Sequence, residues 1–230
     1  MAEQIIMAAT PDHQRPNDVL GEWNLIPEED WNIHQRVAER TGGWLTAANA
    51  VSVIGAIATA KGLYHASQGE YGKAVAYGAT GRVLDLVDGE VAERLGTRGK
   101  IGALVDAGLD KALTAGAMLT LARQKVISAR FAAITLAQQT EIVIHNAAIE
   151  KAGANPNPSN DGKHSMFGIW LSAGLRIGQT LSEANYPKTA SWFNRLASSA
   201  EITTAALGER AISGYVQQRA SLSQATPSID

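Results

Sequence analysis

Residues 85–110 read DLVDGEVAERLGTRGKIGALVDAGLD, and the rest of the chain is best read outward from them. Four aspartates stand there as two pairs, Asp85/Asp88 and Asp106/Asp110, with Gly89, Ala92, Gly96 and Gly102 between them. Spacings of i,i+3 and i,i+4 put each pair on one face of a helix. Two such faces brought together gather four carboxylates. Like charges at close range repel and raise one another's pKa, so the arrangement is costly unless cations neutralise it. Hard divalent cations such as Mg²⁺ take oxygen ligands and commonly bind through carboxylates plus substrate phosphates. The stretch therefore reads as a metal site that handles phosphates.

Composition narrows the classes around that site. The chain has 230 residues, enough for one domain or a small two-part chain with a sizeable core. Its net charge is −2 and its pI about 6.2, so no global basic field points to nucleic acid. It has no cysteine, which excludes disulfides, thiol catalysis and cysteine-ligated zinc. The start, MAEQIIMAATPDHQRPND, lacks a basic segment followed by an apolar one, so no secretory signal peptide is expected. Mean hydropathy is −0.08, low for a polytopic membrane protein. Residues 41–60 form the one charge-free window of spanning length, and Thr41, Thr46, Asn49, Ser52 and Thr59 dilute it. Hydropathy alone favours a soluble helical bundle. Against that, Ala, Gly, Val, Ile and Leu crowd residues 47–64, 74–86 and 102–122, and small residues suit close helix packing in lipid.

Residues 1–27 are polar with scattered prolines and read as a loosely ordered tail. Residues 28–41, EEDWNIHQRVAERT, read as a short helix with Ile33 and Val37 on one side and Trp23, Trp31 and Trp44 nearby. An interfacial helix with tryptophan anchors and an ordinary surface helix both fit it. Six helical segments follow, near 45–65, 70–91, 100–123, 125–152, 164–183 and 188–218. Breaks are cued at 65–69, 95–99, 155–162 and 185–187. Alternation is weak and alanine abundant, so no strands are expected. The Ser-rich end beyond Gln218 reads as frayed. Three parts result: residues 1–44, 45–218 and 219–230. No G-x-x-x-x-G-K-[ST] or G-x-S-x-G occurs, and Glu141/His145 lack a partner motif for zinc.

The aspartate stretch resembles the signature of the CDP-alcohol phosphatidyltransferase family, D-x2-D-G-x2-A-R-x8-G-x3-D-x3-D. Asp85, Asp88, Gly89, Ala92, Gly102, Asp106 and Asp110 fall in register, seven of eight fixed positions. The eighth, an arginine in the signature, is Glu93 here. The resemblance implies an all-α bundle of six transmembrane helices behind a short N-terminal amphipathic juxtamembrane helix. It implies an integral, multi-pass protein of the cell membrane whose active site faces the cytoplasm, and a homodimer.

The resemblance further implies transfer of a phosphatidyl group from CDP-diacylglycerol to an acceptor alcohol, with release of CMP. The acceptor expected first is glycerol 3-phosphate, and next inositol phosphate. Two ions, Mg²⁺ or Mn²⁺, are implied: Asp85, Asp88 and Asp106 ligate one, and Asp85, Asp106 and Asp110 the second. Asp110 is also the implied general base. Gly89, Ala92, Glu93 and Gly102 shape the nucleotide pocket, helped by Asn49 and Ser52 of TAANAVSVIG. A carboxylate at Glu93 adds negative charge beside a diphosphate, which implies nucleotide binding that is weakened, shifted or assigned to another basic group such as Arg94, Arg98 or Lys100. One residue on a helix is a turn of about 100°, so Arg94 does not simply replace it. Arg130, Lys163 and Arg176 are candidates for an acceptor phosphate. Two rivals stand beside this reading: a soluble helical Mg-dependent enzyme acting on diphosphates, and a membrane relative that has lost activity.

Overall fold

The computed structural model describes residues 27–154, 156 and 159–225, and among them the chain is all-helical. A 3-10 turn, Glu28–Asp30, precedes α1 (Ile33–Arg40), α2 (Ala47–Ser67), α3 (Tyr71–Arg94), α4 (Lys100–Arg123), α5 (Ala129–Lys151), α6 (Asn160–Ser182) and α7 (Pro187–Ala225). The expected tail over residues 1–26, Trp23 included, lies outside the described residues. No described helix is long and apolar enough to cross a membrane.

Local chemistry explains the helix ends. Asn32 caps α1 through a capping box: its Oδ1 accepts from His34 N and Gln35 N, and the Gln35 side chain accepts from Asn32 N at 2.8 Å. α5 starts only at Ala129 because the chain turns at Lys125, φ 58°, and Ser128 Oγ then accepts from Phe131 N at 3.1 Å. Ser159 caps α6 in the same way, so that helix opens four residues ahead of the expected 164. The expected frayed end beyond Gln218 is instead helical to Ala225. Ser221 and Ser223 return their hydroxyls to the carbonyls of Gln218 and Ala220, both at 2.8 Å, and Leu222 packs on the apolar cluster of α5 and α7.

The chain divides into two compact units, Met1–Gly55 with Val83–Leu109 and Ala56–Arg82 with Asp110–Asp230. The first unit holds α1, the start of α2, the end of α3 and the start of α4. Its α1 is tied to the α3–α4 turn, with Asn32 Nδ2 donating to Leu95 O at 3.0 Å and Gln35 Nε2 to Gly96 O at 3.2 Å. Gly96 is required there, since its φ is +62° and a Cβ would lie 2.7 Å from Gln35 Nε2. Gln35 and Ala38 are the buried residues of α1, while Ile33 and Val37 face outward.

The second unit carries two apolar clusters. One joins Ala117, Met118 and Leu121 of α4 to Phe131 of α5 and to Ile169, Ala173 and Ile177 of α6. The other joins Ile142 and Ile149 of α5 to Ala211, Ile212 and Tyr215 of α7. α6 packs along α7, and Gly168 sets how close they come. A Cβ at Gly168 would lie 3.2 Å from Cβ of Thr204, which is 2 % exposed, with the threonine hydroxyl nearer still. Gly168→Ala is therefore expected to cost about 1–3 kcal/mol by overpacking, measured as a lowered unfolding midpoint.

Polar side chains share the interior of this unit with those clusters. Thr114, Thr135, Gln138, Ser165, Ser172 and Thr204 are all buried. Large apolar side chains are instead exposed on every long helix, among them Ile57 of α2, Leu86 of α3, Leu104 of α4, Ile144 of α5, Phe167 of α6 and Ile202 of α7.

Candidate metal centre

Within the first unit, the end of α3 and the start of α4 bring three of the four aspartates together. Asp85, Asp88 and Asp106 each offer one carboxylate oxygen, and these oxygens lie within 4.8 Å of one another. Asp88 is 7 % exposed and accepts a hydrogen bond from Ser52 Oγ of α2. Among the described residues no basic side chain pairs with Asp88. A buried carboxylate beside two others is unfavourable without added positive charge. Mg²⁺ binds oxygens at about 2.0–2.1 Å, which sets neighbouring ligand oxygens about 3–4 Å apart. The all-oxygen group of Asp85, Asp88 and Asp106 is a candidate site for a hard divalent cation.

The positions expected to meet a nucleotide fall into two sets. Gly89 faces open space: a Cβ there would meet nothing within 4 Å. Ala92 is half-buried beside it on the same helix. These two leave the α3 backbone approachable. Gly102 differs, because a Cβ there would sit 3.1 Å from Asn49 Oδ1. Its missing side chain admits Asn49. Asn49 in turn spends its amide on the loop before α2, donating from Nδ2 to Gly43 O at 3.1 Å and Trp44 O at 2.9 Å. Ser52 reaches the aspartate group: its hydroxyl lies against Asp88 Oδ2 and also stands 3.2 Å from Ala48 O, one turn back on α2.

Glu93 is exposed and faces Arg98 across 3.6 Å. Arg94 bonds Glu90 at 2.7 Å, one turn back on α3. Two of the basic groups that stand near the missing arginine are thus each paired with an acidic neighbour at the surface. Lys100 opens α4, and its side chain lies outside the described set.

Asp110 belongs to the second unit and is not a member of the three-carboxylate group. Arg82 Nη2 donates to Asp110 Oδ1 at 2.8 Å, and the Arg82 guanidinium lies 4.6 Å from the centre of the Trp170 ring. Arg82 escaped the sequence reading, although it stands one helical turn ahead of Asp85.

Of the three acceptor candidates, Arg176 is withdrawn by its surroundings. Its Nε and Nη2 donate to Glu201 Oε1 and Oε2 at 2.8 and 2.9 Å, and further bonds run to Gln179, Asn194 and Ser198. That clamp joins α6 to α7. Arg130 and Lys163 are exposed, and their side chains bond no other described residue.

No curated protein and no solved structure matches the chain. The family model for CDP-alcohol phosphatidyltransferases, however, matches residues 44–200, more than half of its length. That span contains all four aspartates, the glycines between them, and Ser52. The chain belongs to the CDP-alcohol phosphatidyltransferase family and is a transferase of substituted phosphate groups.

Proposed function

We propose that the chain transfers a phosphatidyl group from CDP-diacylglycerol to a small phosphorylated alcohol, glycerol 3-phosphate first and inositol phosphate second, and releases CMP. The gathering of Asp85, Asp88 and Asp106 into one oxygen group, in a chain of this family, carries the reading. A divalent cation, Mg²⁺ or Mn²⁺, would neutralise the diphosphate and make its phosphorus electrophilic when held by these three carboxylates. Of the two ions that the signature implies, the three-carboxylate group accounts for one.

The chain's own residues do the rest. Gly89 and Ala92 leave room for the donor's nucleotide against α3. Arg130 and Lys163, exposed and without partners among the described residues, are cations for the acceptor phosphate. Asp110 accepts the acceptor hydroxyl's proton. The hydroxyl oxygen then bonds to the phosphatidyl phosphorus as the bond from that phosphorus to the bridging oxygen breaks, and CMP leaves with the electron pair. The test is CMP release from CDP-diacylglycerol with acceptors supplied one at a time. Release that depends on one acceptor and vanishes in Asp110→Asn supports the reading, and no release with any acceptor overturns it.

Glu93 stands where the signature arginine would meet the donor. Glu93→Arg exchanges a repulsive charge for a charge-assisted contact worth about 1.5–3 kcal/mol. The expected result is a KM for CDP-diacylglycerol lowered about tenfold or more, with a smaller change in kcat. An unchanged KM separates Glu93 from the donor.

A membrane setting belongs to the same proposal. Polar side chains share the interior with the apolar clusters while large apolar ones face out on every long helix, an exposure that water does not favour. α1 also turns Ile33 and Val37 outward, next in the chain to exposed Trp44 and Leu45. Lipid, with a second copy covering part of this surface, is the medium that suits it. Sedimentation with membranes that resists alkaline carbonate is expected, and a chain recovered in the soluble fraction contradicts it.

A further inference from the structure

The second of the two ions implied by the signature needs Asp110, and Asp110 is already neutralised inside its own unit. Arg82 Nη2 bonds Asp110 Oδ1 at 2.8 Å, with the two side chains 28 % and 18 % exposed. A guanidinium keeps its charge at any working pH and suits carboxylate geometry. The Trp170 ring, 4.6 Å away, holds the guanidinium by cation–π attraction and limits where it can swing. Lys111 follows Asp110 in the chain and is itself held by a bond from Nζ to Gln139 Oε1. A divalent ion arriving at Asp110 has to displace the fixed Arg82 guanidinium, and repulsion at such range in a partly buried setting is large.

We propose that Arg82 is the permanent cation of Asp110, so that the chain binds one divalent ion, at Asp85, Asp88 and Asp106, where the signature implies two. This rests on the cation reading of the three-carboxylate group given above. Arg82 lies three residues before Asp85 on α3, and Asp110 four residues after Asp106 on α4, so the ion pair follows the register of both aspartate-bearing helices. The guanidinium supplies fixed positive charge at Asp110 without a metal-binding equilibrium. It also holds Oδ1, and among the described residues Oδ2 has no hydrogen bond, which keeps that oxygen available for a hydroxyl proton.

The test counts Mn²⁺ bound per purified chain, by the loss of the free Mn²⁺ electron paramagnetic resonance signal during titration. One Mn²⁺ is expected for the wild type and for Asp110→Asn, two for Arg82→Gln, and one for Arg82→Lys, which keeps the charge. Two Mn²⁺ in the wild type, falling to one in Asp110→Asn, overturns the proposal even if Arg82→Gln fails to fold. One Mn²⁺ in both the wild type and Arg82→Gln also overturns it, since Arg82 then excludes nothing. A wild type that binds none defeats the three-carboxylate cation reading itself, and this inference with it.

Discussion

Asp88→Asn is expected to slow CMP release from CDP-diacylglycerol by about a thousandfold or more at saturating Mg²⁺. Asp88 is the buried member of the carboxylate group, and its partner among the described residues is the Ser52 hydroxyl. Asparagine keeps the shape and removes the charge. What is lost is one of three anionic ligands, and cation stabilisation of a transferring phosphoryl group is worth several kcal/mol. About 4 kcal/mol corresponds to a factor of roughly a thousand. Folding should move the other way. Three gathered carboxylates repel one another when no cation is bound, so the variant's unfolding midpoint in chelator should equal or exceed that of the wild type. Loss of activity together with a fallen midpoint would assign Asp88 to structure and not to the reaction. Ser52→Ala, which removes only the hydrogen bond, is expected to have a smaller effect.

The largest stability effect is expected at Arg176. Its guanidinium meets both oxygens of Glu201, and the two side chains are 14 % and 13 % exposed. Removing one partner strands the other as a buried, uncompensated charge. Breaking such a pair costs about 3–5 kcal/mol. For a chain of this size each kcal/mol moves the unfolding midpoint by about 2–4 °C. Arg176→Met should therefore lower the midpoint by about 10 °C, and Arg176→Met with Glu201→Met should recover most of the loss, because paired removal leaves no stranded charge. If Arg176 held an acceptor phosphate, the single variant would instead raise the acceptor KM with little change in midpoint.

The sequence shows the carboxylate group because fixed helical spacing turns four aspartates into two faces, a local property of residues 85–110. The three helices carrying Ser52 and the aspartates, α2, α3 and α4, lie within three residues of their expected bounds for the same reason: glycine-bearing breaks at 65–69 and 95–99 are local signals. What escaped notice depends on partners far apart in the chain. Arg82 meets Asp110 across 28 residues and Arg176 meets Glu201 across 25, and neither pairing leaves a mark in composition or periodicity. Arg176 therefore looked like a free cation for an acceptor. Asn49 looked like a nucleotide contact because its short motif resembles one, whereas its amide holds the turn at Gly43 and Trp44. The end of α7 departs from the frayed tail that its serines suggest, because Leu222 finds an apolar surface to cover.

The most direct test of the transferase reading follows the phosphorus. CDP-diacylglycerol labelled at the lipid-side phosphate would be incubated with the purified chain and glycerol 3-phosphate, with Mn²⁺ or with chelator. The label is expected in a new phospholipid, matched one to one by CMP, with Mn²⁺ only. Label released as phosphatidic acid, or a product that forms equally well in chelator, would contradict divalent-metal-dependent transfer to an alcohol.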